Sequence, residues 1–116
     1  MNLVSRDEYI AMEAARMDEL TLQKRVRYLA IVHGWKFYHT RDSRRSDRGW
    51  PDCCIGKDGR FLVRELKVQK GRATPDQGEW LAILESCGID AGIWRPLDLL
   101  NGGIERALRG EGTRER

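Results

Sequence analysis

The chain has little of what would brace or anchor a protein by special means. Cysteine is sparse: Cys53, Cys54 and Cys87 are odd in number and form no Cys-x-x-Cys pair, which argues against a disulfide framework or a thiolate zinc site. Adjacent Cys53 and Cys54 read instead as small apolar strand residues, and a reducing compartment is the expectation. No apolar run reaches the roughly 18 residues of a membrane span, and no charged-then-apolar leader opens the chain. A soluble, cytoplasmic protein is therefore expected. Prolines number only 3, and neither a repeat nor a low-complexity tract occurs. Charge of one sign is not in marked excess either, since the net charge is +3.

That small net value hides an uneven placement. Between Lys36 and Arg72 there are 11 basic and 5 acidic residues, while the rest of the chain carries 10 basic and 13 acidic ones. A basic zone of this kind suits an approaching polyanion, although a solvated arginine-rich surface has the same composition. With 116 residues the chain fits one domain that can bury its own core.

Local signals order the elements. Ser5-Arg6-Asp7-Glu8 has capping-box form, and the apolar spacing that follows predicts one long helix, or two broken at Asp18, ending at His33-Gly34. Residues 35–40 alternate as a half-buried strand does, and 41–50 form a polar, arginine-rich loop. Residues 52–56 and 60–68 read as two strands joined by a tight Asp58-Gly59 turn. Thr74-Pro75-Asp76-Gln77 opens a helix that stops at Gly88, with Trp80 assigned to the core, as are Met12 and Met17. A short strand over 91–94 and one or two short helices over 97–109, interrupted near Gly102-Gly103, complete an α-β-β-β-α-β-α order. The expected fold is α/β, a mixed sheet flanked by helices. Residues 1–17 are expected to be a helical extension, 18–109 the domain proper, and 110–116 a fraying tail.

Gly49-Trp50-Pro51-Asp52 and Glu65-Leu66-Lys67 carry the chemistry. Residues two apart on a strand share a face, so Glu65 and Lys67 set a carboxylate and an ammonium side by side, and the hairpin brings Asp52 within reach. Two carboxylates suffice for Mg²⁺, which takes oxygen ligands and keeps several waters, and Lys67 can orient or activate a water and offset developing charge. Taken singly, Glu65-x-Lys67 also reads as a surface ion pair, and Pro51-Asp52 as an ordinary turn.

The ordered set Glu19-x-x-Leu22-Gln23-x-x-Val26, Gly34-Trp35, Tyr38-His39-Thr40, Arg44-Arg45-Ser46, Gly49-Trp50-Pro51-Asp52, Glu65-Leu66-Lys67, Lys70-Gly71-Arg72, Gln77-x-x-Trp80 and Trp94-Arg95-Pro96 resembles the VRR-NUC domain. That domain belongs to the PD-(D/E)xK nuclease superfamily, and the likeness is to its stand-alone phage and bacterial type. The resemblance implies a restriction-endonuclease-like fold and Mg²⁺- or Mn²⁺-dependent cleavage of structured DNA such as Holliday junctions. It implies Asp52, Glu65 and Lys67 as catalytic, Asp52 and Glu65 as main metal ligands, Glu19 as a further metal-site carboxylate and Gln77 as a glutamine facing the site. Glu19 also has a plainer reading as a residue favouring a helix N-terminus, and Gln77 reads equally as the partner of Thr74 in a capping box. His39, Arg41, Arg44, Arg45, Arg48, Lys70 and Arg72 are the candidate DNA contacts. A homodimer is expected, since a two-fold junction calls for two sites, with Tyr9, Ile10, Met12 and Met17 as its contact. The competing readings are a non-catalytic module docking on branched DNA and a flap- or sequence-specific nuclease.

Overall fold

The structure, a computed structural model, describes residues 3–40 and 47–111. The Ser5 hydroxyl accepts from the Glu8 N–H at 3.1 Å and the Glu8 carboxylate accepts from the Ser5 N–H at 3.4 Å, so a capping box opens α1 (Arg6–Arg16). Asp18 then caps α2 (Glu19–Val32) by accepting from the Thr21 N–H at 2.7 Å. The break expected at Asp18 is therefore an N-cap, and α2 ends at His33 and Gly34, whose φ of 84° only glycine adopts freely. Lys57 closes that end by donating to the His33 carbonyl at 2.7 Å.

Three antiparallel strands follow in space as in sequence: β1 (Lys36–His39), β2 (Cys53–Lys57) and β3 (Arg60–Leu66). The β2–β3 turn has Asp58 and Gly59 at φ 45° and 81°, the left-handed pair that matches strand twist. A second capping box, Thr74 with Gln77, opens α3 (Pro75–Ser86), and β4 (Asp90–Trp94) returns parallel to β3. The sheet order is β1-β2-β3-β4, a mixed four-stranded sheet flanked by helices. Two short helices, α4 (Pro96–Leu100) and α5 (Gly103–Leu108), end the fold on either side of Gly102.

The core lies between α2 and one face of the sheet. Leu22, Val26 and Ala30 meet Trp35, Cys53, Ile55, Leu62, Leu66 and Trp94, and Leu99, Ile104 and Leu108 close the end. Burial pushes the Cys53 thiol up to about 12, as befits a cysteine serving as a small apolar residue. Two expectations about the core are corrected. Met12 is 46% exposed because α1 turns only Ala14 fully inward. Trp80 is half-buried, and α3 contains no buried residue. Met17, by contrast, packs against the core.

β3 is also shorter than the expected 60–68 run. It ends at Leu66, although the Lys67 N–H still donates to the Trp94 carbonyl at 3.2 Å. Arg95 draws the chain out of the sheet there, its guanidinium donating to the carbonyls of Val68, Gln69 and Gly71 at 2.9, 3.3 and 2.6 Å. Among the described residues, no helix is long and apolar enough to cross a membrane.

Candidate active site

Strand pairing brings the two acidic residues together. Cys53 faces Arg64 across the antiparallel ladder, so the next step out sets Asp52 opposite Glu65. The Asp52 carboxylate is pinned there: Oδ2 accepts from the Leu66 N–H at 2.7 Å. The strand-end backbone is held as well, with the Thr40 N–H donating to the Asp52 carbonyl at 2.9 Å and the Thr40 hydroxyl to the Pro51 carbonyl at 3.1 Å.

The loop leading into Asp52 is locked against α3. Gly49 has φ 88°, and a Cβ built on it would lie 2.5 Å from the Asp76 backbone, so only glycine permits this approach. Trp50 then meets Trp80 edge to face, with centroids 5.0 Å apart and planes at 83°. The same approach carries the start of α3, and with it Gln77, to the cleft. That cleft, about 90 Å³, is lined by Thr40, Asp47, Gly49, Trp50, Asp52, Glu65 and Gln77. Gln77 completes the capping box, its carbonyl oxygen accepting from the Thr74 N–H at 2.9 Å, and it lines the cleft together with Asp52 and Glu65.

Glu65 is the unusual member. It is only 2% exposed, and its Oε2 is buried without any hydrogen-bond partner. The neighbouring Arg64 cannot answer it, because strand alternation turns Arg64 to the other face, where it pairs with Asp90 at 2.9 Å and lies over the Trp94 ring at 4.7 Å. Burial first, then a hydrogen bond to Asp52 and the Asp52 charge, push the Glu65 carboxyl far above the usual carboxylate range, while Lys67 opposes the shift. Glu19, at the start of α2, is an exposed residue of the same electrostatic group. Partial shielding of its carboxyl from water and the Asp52 charge push it up, and Lys67 and His39 pull it down.

The structure thus gathers Asp52, Glu65 and Gln77 in one cleft, with Lys67, Glu19 and His39 in its field. Among the described residues, no three acidic, histidine or cysteine side chains close into a ready-made metal cage. Of the candidate DNA contacts, Arg48 is exposed and 3.8 Å from Asp76, and Lys70 and Arg72 are exposed on the segment that Arg95 holds. Arg41, Arg44 and Arg45 lie outside the described residues. Sequence reasoning missed Asp47, the hydroxyl of Thr40 and the clamp by Arg95. All three depend on contacts distant in sequence, and only the position of Thr40 before the polar loop signalled it.

Comparison with known proteins gives no matching family model, no matching curated protein and no matching solved structure.

Proposed function

We propose that the chain is a metal-dependent, structure-specific DNA endonuclease of the VRR-NUC kind. It hydrolyses phosphodiester bonds in Holliday junctions or other branched DNA, and it acts as a homodimer. One observation supports this reading above the rest: a nearly fully buried glutamate, with one oxygen unanswered, set beside a second carboxylate and in the field of a lysine. A module that only docks on DNA gains nothing from two carboxylates held where phosphate must come, since burying them is costly and their charge repels the ligand.

The donor set fits a hard divalent cation. Asp52 and Glu65 offer only oxygen, the orphaned Oε2 lacks a positive partner, and Mg²⁺ is commonly held by one or two carboxylates with water and substrate phosphate completing its shell. Asp52 and Glu65 would hold the ion, with Glu19 further out. When bound, such an ion polarises the phosphate and lowers the pKa of bound water. The chain's own residues do the rest. Lys67 donates hydrogen bonds to the attacking water and offsets negative charge as it builds on the phosphate. The Leu66 N–H fixes the orientation of Asp52. The Gln77 amide, anchored through Thr74, orients what enters the cleft. Exposed Arg48, Lys70 and Arg72 supply sequence-independent phosphate contacts.

The test is cleavage of labelled four-way junction, flap, duplex and single-stranded DNA in Mg²⁺, Mn²⁺ or EDTA. Branched DNA is expected to be cut, and only with metal. Lys67→Ala should lower the rate by roughly 10²- to 10³-fold, the scale of one lost transition-state donor. Asp52→Asn should lower it by several orders of magnitude, and both variants should keep their circular-dichroism spectra. Full cleavage by Asp52→Asn would overturn the assignment.

A further inference from the structure

Beside the carboxylate cleft lies a wider hollow of about 350 Å³, lined by Tyr38, Thr40, Asp47, Trp50 and Trp80. The two spaces share Thr40, Asp47 and Trp50, so they are neighbouring compartments of one groove. We propose that Tyr38, Trp50 and Trp80 form a receptacle for one unpaired nucleobase next to the scissile phosphate, so that the preferred substrate carries an unpaired nucleotide at the cut. The inference rests on the nuclease reading and narrows its substrate.

Three observations carry it. First, the walls are aromatic, with an exposed Tyr38 beside the half-buried Trp50 and Trp80. Tyr38 is 62% exposed on a strand whose next residue inward, Phe37, packs on the core, and Trp80 sits on a helix with no buried residue. Secondly, the ring orientations are fixed in advance. Trp50 is braced edge-on against Trp80, and the neighbouring Gly49 passes so close to the Asp76 backbone that a Cβ would not fit. Rings that need not be ordered on binding lose little entropy when a base stacks on them.

Thirdly, the polar groups and the size suit a base. Asp47 offers a carboxylate that accepts from an exocyclic amino or ring N–H. The volume lies at the lower end of the range for small-ligand sites, enough for a single nucleoside unit and far too small for a duplex. A paired base keeps its faces inside the stack, so only an unpaired or extruded one can enter.

The experiment uses the full chain with Ca²⁺ in place of Mg²⁺ to hold DNA without turnover, and reads affinity by fluorescence anisotropy. The probes are a fully paired duplex, the same duplex with one bulged thymidine, and the same bulge with an abasic sugar. The bulged thymidine should bind roughly 5- to 150-fold tighter than the abasic bulge, the worth of one stacked base. Tyr38→Ala should collapse that ratio and Tyr38→Phe should preserve it. Tyr38 is exposed enough that neither change threatens the fold. Equal affinity for thymidine and abasic bulges, or a ratio that survives Tyr38→Ala, overturns the receptacle alone. A four-way junction is the control: failure to bind the junction as well as the three probes overturns the nuclease reading and the receptacle with it, whereas binding to the junction with no preference for the thymidine bulge overturns the receptacle alone.

Discussion

Glu65 shows how a single side chain can be costly in isolation and well suited to a task. Its carboxyl titrates far above the usual range because water is excluded and Asp52 stands beside it, so in metal-free protein it holds a proton that the unfolded chain would release. A folded-state pKa raised from 4.5 to about 9 fixes the sign of the consequence. The stabilisation from the bound proton is complete below the unfolded value and fades as pH rises toward the folded one. In EDTA, the melting temperature of the wild type relative to Glu65→Gln should therefore fall steadily from pH 5 to pH 8.5. Added Mg²⁺ should remove much of that decline, because a cation takes the place of the proton. Thermal melts of both proteins across this range check it, and parallel pH profiles would show that Glu65 is ionised and satisfied by something else. That Asp52 and Glu65 would meet was legible in the sequence, because residues opposite on a hairpin must meet, whereas Lys67 lies one residue beyond the end of β3. That Glu65 is buried and unanswered was not, since it depends on Arg64 turning away to Asp90, 26 residues on.

At the scale of elements, what positions the site is the approach of one loop to one helix. Gly49 is needed twice over, for a φ of 88° and for the lack of a Cβ where the Asp76 backbone passes. Gly59 also has positive φ, 81°, but a Cβ there would meet nothing within 4 Å. The pair separates the two effects. Gly59→Ala should cost only the left-handed penalty, about 1–2 kcal/mol, whereas Gly49→Ala adds a clash with backbone and should exceed about 2 kcal/mol. Denaturant unfolding measures both, and equal losses would show that the loop yields freely. The contrast also marks where sequence reading succeeds. Both capping boxes, the Asp58-Gly59 turn, the break at Asp18 and the stops at Gly34 and Gly102 are written within a few residues, and all are present. The packing of α3 is not written locally. An apolar stripe carrying Trp80, Leu81 and Leu84 says that a helix has a side to cover, and says nothing of how much of it the sheet will cover. Likewise Arg95, next to Pro96, gives no local hint that it will bind three carbonyls of the 68–71 segment.

The whole molecule is elongated, 51 × 31 × 27 Å, and its N-terminal helix turns only one residue, Ala14, fully inward. α1 rests on α4 and buries Ala14, and it leaves Tyr9 56% and Met12 46% exposed, with Leu3 and Val4 exposed ahead of them. Of the four residues proposed for a two-fold contact, Tyr9 and Met12 are thus available, Ile10 is partly covered, and Met17 is occupied with the protein's own core. A helix that gives its small residue to its own fold and its large apolar ones to solvent suits association of two copies, and paired cuts across a symmetric junction need two sites held in register. The variant must spare the Ala14 contact, which excludes truncation: removing α1 would uncover α4 and confuse lost folding with lost assembly. Tyr9→Glu with Met12→Glu places charge on the exposed face alone. Light scattering at tens of micromolar should give a dimer for the wild type and a monomer for the double variant, with melting at low protein concentration unchanged. The monomer should still nick a branched substrate but lose paired cutting within one encounter, because each copy carries a complete cleft of Asp52, Glu65 and Gln77. A wild type that stays monomeric, or a double variant that stays dimeric, would move the two-fold contact elsewhere or dispense with it.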